Sequence, residues 1–151
     1  MGDAFYLDKS NPDIWKGLNA VALKVRAAAE DAGISRAVLE LLNVRISQIN
    51  GCAYCLDLHS RLAADAGVPA RKLHVLAAWR EAGVYSDLEL SALTVAEAVT
   101  LMGEEERRSA LQEARAQLTD EQYAALNWAA VTINSFNRIS IISGYPIKPL
   151  P

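Results

Sequence analysis

Gly and Pro residues divide the chain into segments of helical length, and this spacing limits the fold more than any other feature of the sequence. Within the segments, apolar residues recur three or four positions apart, as on one face of an α-helix. The period-two alternation of a half-buried strand is scarce, and residues that favour helices (Ala, Leu, Glu, Arg and Gln) dominate. We therefore predict an all-α fold, a bundle of about seven helices.

The predicted helices begin at residues that cap helices and end at glycines or shortly before them. Asn11 is predicted to cap the first helix, with Pro12 in its first position and Gly33 at its end. Ser35 is predicted to cap the second, which ends at Asn50-Gly51. The remaining five are predicted over residues 52–67, 69–83, 86–103, 104–117 and 119–144, the third and the fifth of these beginning with capping boxes, Ser86 to Glu89 and Thr119 to Gln122.

The length of 151 residues suits one domain with a core of its own, so we expect a single domain over 1–151. The chain has 15 basic and 18 acidic residues, a net charge of −3, which does not favour nucleic acid as a partner. We expect no membrane association, since no apolar run is long enough to span a bilayer and no secretion signal is visible.

The chain has only two cysteines, Cys52 and Cys55, in a CxxC arrangement. A secreted disulfide scaffold needs more cysteines, spread along the chain. A lone CxxC without a secretion signal is typical of redox chemistry or metal binding. We therefore expect a cytoplasmic protein whose cysteine pair is reduced or cycles between thiol and disulfide.

Three groups able to do chemistry share one face of the third predicted helix. At about 100° per residue, Cys55 lies roughly 60° and His59 about 20° around the helix from Cys52. A thiol attacks as its thiolate, which a helix N-terminus stabilises. His59 is four residues after Cys55, so its imidazole can reach that sulfur and accept the thiol proton. The helix terminus favours Cys52 as the reactive thiol, whereas the contact with His59 favours Cys55.

Two other interpretations of this motif stay open. Cys52, Cys55 and His59 are plausible zinc ligands, but a structural site needs a fourth ligand, and His74 lies on a different predicted helix. The two cysteines are also of a type that is often simply buried. A metal-binding or redox-sensing module without turnover is therefore the alternative to an enzyme.

The segment from Glu40 to His59, ELLNVRISQINGCAYCLDLH, resembles the core of alkylhydroperoxidase AhpD-like proteins of the carboxymuconolactone decarboxylase superfamily. The pattern is a glutamate twelve residues before CxxC and a histidine four residues after its second cysteine. The resemblance covers most of the chain, with the core motif region at about 35–105. The decarboxylase branch of this superfamily generally lacks CxxC, so a carboxymuconolactone decarboxylase activity is the less favoured alternative.

The resemblance implies an all-α fold and a thiol peroxidase with antioxidant function that needs no cofactor and no metal. It implies that Cys55 attacks a hydroperoxide, Cys52 resolves the product into a disulfide, and Glu40 and His59 relay protons. It also implies a homo-oligomer, a trimer or hexamer, and a thiol or dithiol protein as reductant. The best-characterised AhpD enzymes carry a second histidine where this chain has Tyr54, so the dihydrolipoyl-protein reductant of those enzymes is not carried over.

Overall fold

A computed structural model describes residues 3–150, which form nine α-helices and one short 3₁₀ helix and contain no strand. The helices are α1 Leu7–Ser10, α2 Pro12–Asp31, α3 Arg36–Asn50, α4 Ala53–Asp65, α5 Ala70–His74, the 3₁₀ helix Leu76–Ala78, α6 Trp79–Ala82, α7 Asp87–Leu101, α8 Glu104–Gln117 and α9 Asp120–Ser143. The prediction of an all-α fold is confirmed. Residues 1, 2 and 151, the ends of the predicted domain, lie outside the described residues.

Three of the predicted helix starts are built as the sequence indicated. The Ser35 hydroxyl accepts a hydrogen bond from the backbone N–H of Val38 at 3.3 Å. Both capping boxes are formed: each cap hydroxyl accepts a backbone N–H three residues later, and the side chains of Glu89 and Gln122 accept the N–H of the cap residue. Such caps satisfy N–H groups that the first turn leaves without partners.

The start of α2 was predicted incorrectly in one respect. Pro12 occupies the first turn, but the Asn11 side chain makes no cap hydrogen bond. Instead its side-chain oxygen accepts a bond from the Ser10 hydroxyl at 3.1 Å, because the short helix α1, which was not predicted, ends immediately before it. α1 is fastened across the bundle by the backbone N–H of Leu7, which donates to the Ser143 hydroxyl at 3.1 Å.

The single helix predicted over 69–83 is broken into α5, the 3₁₀ helix and α6. Together with α1, this break explains why the described residues form nine α-helices and not the seven predicted. Val75 and Ala78 leave the helical backbone region at the two breaks. Both Leu76 and Trp79 are buried in the core. Tertiary packing of these two side chains thus overrides a local helical preference.

Helix α3 is the centre of the bundle and packs against α4, α7 and α9. Its apolar residues point to two sides, so it contributes to two hydrophobic clusters. Leu42 and Ile46 belong to the cluster shared with α2, α7, α8 and α9, while Leu41 and Val44 belong to the cluster shared with α4 to α7. Burial on both sides explains why α3 can hold a polar side chain away from water.

Helices α2 and α9 each leave an apolar face uncovered. Only one side of α9 is buried. The exposed apolar side chains on the two helices are Ile14, Val21, Leu23, Trp128, Val131, Ile141 and Ile142. Exposed apolar surface of this extent is typical of an interaction site.

No helix within residues 3–150 combines the length and the apolar character that crossing a membrane requires.

Candidate active site

The two cysteines lie where the chain reverses from α3 into α4. Gly51 ends α3 in the left-handed conformation, with φ of 68°, which a glycine adopts without steric cost. Cys52 then caps α4: its sulfur accepts the backbone N–H of Cys55 at 3.3 Å. The two residues are disulfide-bonded, with 5.3 Å between their Cα atoms, and both are buried. The CxxC pair is therefore able to form the disulfide that thiol redox chemistry requires.

The structure brings Glu40 and His59 into direct contact although they are 19 residues apart. Oε2 of Glu40 lies 2.6 Å from Nδ1 of His59. A carboxylate only accepts hydrogen bonds, so His59 donates its Nδ1–H, and Nε2 is the basic nitrogen of the neutral ring. The contact forms because α4 folds back along α3 after the turn at Gly51.

Glu40 is completely buried and ionised. Arg36, one helical turn earlier, places Nη2 2.5 Å from Oε1, which accepts no hydrogen bond, and Asn43 donates to Oε2 at 3.3 Å. Burial raises the pKa of Glu40, but the hydrogen bond and charge of His59, the charge of Arg36 and the Asn43 bond outweigh it. The net pKa is lowered, so the carboxylate keeps its negative charge beside the imidazole.

A cavity of about 710 Å³ opens beside this group, between α2, α3, α4, α9 and the two terminal segments. Cys55, His59 and Glu40 line it, whereas Cys52 is not among its lining residues. The cavity therefore reaches Cys55, but not Cys52, next to the Glu40–His59 contact. This volume falls within the range usual for ligand sites.

Tyrosines form the wall of the cavity next to the cysteines. Tyr54 packs edge-on against Tyr145, which stacks on Tyr6, at centroid distances of 5.3 and 5.5 Å. The Tyr145 hydroxyl donates to Asp8 of α1. Burial and the neighbouring Asp8 carboxylate raise the pKa of Tyr145 to about 12, so it remains a hydrogen-bond donor at neutral pH. Tyr54 thus holds the C-terminal segment over the CxxC motif.

A polar network lies at the end of α3, where the chain enters Cys52. Asn137 of α9 is fully buried; it donates to the Ser47 hydroxyl at 3.1 Å and accepts from Asn50 at 2.9 Å. The backbone carbonyl of Ser47 in turn accepts the N–H of Cys52 at 3.1 Å. This network fixes the C-terminal end of α3, which is bonded to the backbone of Cys52.

Sequence reasoning missed several of these residues. Arg36 could have been found, because it precedes Glu40 by one helical turn and opposite charges at that spacing pair. Tyr145 and Asn137 had no local signal, since their contacts are made by α9 and the segment after it. Within the described part of the chain, no group of three or more His, Cys, Asp or Glu side chains is arranged to hold a metal ion.

The sequence model of the carboxymuconolactone decarboxylase family matches residues 12–98, which include Glu40, Cys52, Cys55 and His59. The chain belongs to this family.

Relatives within the family point to its AhpD-like members. Over 82% of its length the chain is 34% identical to the uncharacterized protein YdfG of Bacillus subtilis, covering 85% of that protein. It is 33% identical to the alkyl hydroperoxide reductase AhpD of a Bradyrhizobium species over 54% of the chain and 44% of that enzyme. The aligned part thus spans less than half of the AhpD enzyme.

The fold also resembles that of an AhpD-like protein of known crystal structure. This protein, of unknown function and from Agrobacterium tumefaciens, is named as a candidate AhpD antioxidant defence protein. The TM-score is 0.87 at 27% sequence identity, and the match covers 99% of this chain and all of the other. The chain is therefore an AhpD-like member of the carboxymuconolactone decarboxylase family.

Proposed function

We propose that the protein is a thiol peroxidase that reduces hydroperoxides through the Cys52–Cys55 pair. The observation that carries this proposal is that Cys55, His59 and Glu40 line one cavity, with 2.6 Å between His59 and Glu40. A nucleophile next to a base, which is itself oriented by a carboxylate, is the arrangement that nucleophilic catalysis needs. The AhpD relatives support the peroxide as substrate.

Cys55 is the attacking thiol in this proposal. The helix terminus favours Cys52, whose sulfur accepts the Cys55 N–H, but a peroxide must reach the sulfur before it can react. Of the pair, Cys55 lines the cavity and Cys52 does not, which supports Cys55 as the attacking thiol. His59 follows it by one helical turn, on the same side of α4.

The proposed reaction has three steps, in which atoms and electrons balance. The Cys55 thiolate attacks the terminal peroxide oxygen, the O–O bond breaks, and protonation of the leaving oxygen gives an alcohol and a Cys55 sulfenic acid. The Cys52 thiol displaces water from the sulfenic acid and forms the disulfide. A thiol or dithiol reductant then exchanges with this disulfide, takes over its two oxidising equivalents and restores both thiols.

Glu40 and His59 move the protons in this proposal. Neutral His59 accepts the Cys55 proton at Nε2, and the ionised Glu40 stabilises the imidazolium by accepting its Nδ1–H. The imidazolium then returns the proton to the leaving alkoxide. The lowered pKa of Glu40 supports this role, because a neutral carboxyl group would not stabilise the cation.

We also propose that the protein lies in the cytosol and forms a homo-oligomer. A reducing compartment supplies the thiols that the third step consumes. The exposed apolar faces of α2 and α9 support a homo-oligomer, and a trimer or hexamer is proposed from the family. The single-domain assignment over 1–151 is kept as part of this proposal.

Steady-state turnover of an organic hydroperoxide with dithiothreitol as reductant tests the function. We expect Cys55→Ser to have no turnover, while Cys52→Ser turns over more slowly than the wild type, because dithiothreitol must then reduce the Cys55 sulfenic acid directly. The exposed Arg108→Gln on α8 is a control that should match the wild type. A Cys55→Ser variant as active as the wild type would overturn the mechanism.

A further inference from the structure

We propose that the two ends of the chain form a strap that keeps protein thiols away from the Cys52–Cys55 disulfide and leaves the cavity as the route for small thiols. The strap consists of residues 6–10, which include α1, and residues 144–150, which follow α9. The inference rests on the proposed peroxidase function, because it names the class of reductant in its third step. That reductant is a low-molecular-weight thiol, which differs from the protein reductant that the family resemblance implies.

Neither cysteine is accessible at the protein surface. In the disulfide-bonded state Cys52 is 1% and Cys55 3% exposed. Thiol–disulfide exchange requires a thiolate to approach one sulfur in line with the S–S bond, so its rate depends on access to that sulfur. A cysteine on the surface of a folded protein cannot approach a buried sulfur in this way unless the element that covers it moves.

The strap closes the cavity next to the CxxC motif. The strap residues that line the cavity together with Cys55 are Tyr6, Asp8, Lys9, Tyr145, Pro146 and Lys148. The ring of Tyr145 also packs edge-on against Tyr54, which lies between the two cysteines in the sequence, with 5.3 Å between the centroids. A protein that docked over the CxxC motif would therefore meet the strap before it reached a sulfur.

A few contacts outside the two hydrophobic clusters fasten the strap. The Tyr145 ring stacks on Tyr6 at a centroid distance of 5.5 Å, and its hydroxyl donates to Asp8. The backbone N–H of Leu7 donates to the Ser143 hydroxyl at 3.1 Å. The part of the strap after Tyr145 belongs to no helix and is exposed. Segments with few buried apolar contacts open locally at low cost, so losing one contact should favour the open strap.

The cavity offers a small thiol a route that a protein lacks. Its volume of about 710 Å³ is within the range usual for small-molecule sites, and Cys55 lines it. A small thiolate in the cavity attacks the Cys55 sulfur, the S–S bond breaks, and Cys52 leaves as a thiolate. A second thiolate attacks the reductant sulfur of the mixed disulfide, which releases Cys55 and leaves the reductant as a disulfide. The protons of the two reductant thiols end on Cys52 and Cys55.

Reduction of the oxidised protein without any peroxide separates this inference from the peroxidase function. We would follow the thiols released by dithiothreitol, a small dithiol, and by reduced thioredoxin, a protein dithiol, in the wild type and in Tyr145→Ala. We expect the dithiothreitol rates of the two proteins to agree within about twofold and Tyr145→Ala to raise the thioredoxin rate about tenfold, because only the protein reductant needs an open strap.

Two milder variants and a matched control accompany Tyr145→Ala. Tyr145→Phe and Asp8→Ala remove the same hydrogen bond from its two ends and keep the stacked rings, so each should raise the thioredoxin rate about threefold. The control is Ile147→Ala, because Ile147 is an exposed apolar residue of the strap that does not line the cavity. Both of its rates should equal those of the wild type.

A thioredoxin rate that is the same in the wild type and in the three other strap variants would overturn the inference. An equal gain with both reductants, or resistance of the wild type to dithiothreitol, would overturn it as well. A gain with thioredoxin alone, in a protein that consumes no hydroperoxide when it is reduced, would support the strap and overturn the proposed peroxidase instead.

Discussion

Glu40 and Glu97 are two buried glutamates with the same electrostatic character and different surroundings. Glu40 is 0% and Glu97 8% exposed, and each accepts bonds from positively charged or N–H donor side chains. In both, burial raises the pKa, and the hydrogen bonds and charges around the carboxylate lower it by more. A buried, ionised carboxylate is therefore not in itself a mark of the active site.

The two carboxylates differ in the side chains that contact them. Glu97 accepts from Trp79 at 2.8 Å, from Arg45 at 3.1 Å and from Arg80 at 2.5 Å. An indole and two guanidiniums do not exchange protons near neutral pH, so this cluster fastens α3 and α6 to α7. Glu40 instead contacts a histidine, the side chain type that titrates near neutral pH, and both residues line the same cavity as Cys55.

The largest expected effect comes from removing the partner that carries the proton. His59→Asn should lower peroxidase turnover by a factor on the order of 10² or more, because it removes the base next to Cys55. Trp79→Phe removes a partner of Glu97 and should leave turnover within about twofold while costing about 1 kcal/mol of stability. Steady-state rates and chemical unfolding of both variants test this contrast. Similar turnover rates in His59→Asn and Trp79→Phe would contradict the different roles assigned to Glu40 and Glu97.

Neutralising the carboxylates themselves should give a smaller effect on rate. Glu40→Gln should slow turnover about tenfold, since Gln keeps a hydrogen-bond acceptor but does not stabilise the imidazolium. Glu97→Gln should leave the rate unchanged. Each variant should lose about 1–3 kcal/mol of unfolding free energy, because each removes a charge from buried partners. Full activity in Glu40→Gln would take Glu40 out of the relay.

Asn137 sharpens the comparison because it is buried and polar but uncharged. Asn137→Ala removes the partner of the buried Ser47 hydroxyl and one of the two bonds of the Asn50 amide, which keeps its bond to Asn134, so we expect a loss of about 1–3 kcal/mol. Asn127→Ala, on the same helix, removes only a bond to the Tyr123 carbonyl and should cost less. Urea unfolding of the two variants measures the difference, and equal losses would contradict a role for the network.

The pH dependence of stability should reflect the protonation of Glu40 and Glu97. Their pKa values in the folded protein lie below the ordinary value of 4.5, so each contributes stability that is present above pH 4.5 and lost as the pH falls through the folded value. The difference in unfolding free energy between the wild type and either Gln variant should therefore shrink on acidification. A difference that stays constant from neutral pH to about pH 3 would show that the carboxylates are not stabilised as described.

Local patterns predicted the parts of the fold that depend on local interactions. Capping residues and glycines placed the starts of α3, α7 and α9, because a cap bond joins residues three apart. The break at Val75 was not predictable in this way, since buried Leu76 and Trp79 find their contacts on other helices. The helix α1 also depends on a distant partner, Ser143.

The same distinction holds in the candidate site. The common face of Cys55 and His59 follows from their spacing on one helix. The contact of Glu40 with His59 joins two helices and came only from the family resemblance. The Glu97 cluster, which joins α3, α6 and α7, and the strap over the cavity were not anticipated, because their neighbours are set by the packing of the bundle.

The most direct test of the account is the intact mass and thiol count of the reduced protein after one equivalent of an organic hydroperoxide. For the wild type we predict loss of both thiols and a mass decrease of about 2 Da; for Cys52→Ser, an increase of about 16 Da on Cys55; and for Cys55→Ser, no change. Two unreacted thiols in the wild type, or oxidation of Cys52 in the Cys55→Ser variant at the wild-type rate, would contradict the proposal that Cys55 attacks the peroxide.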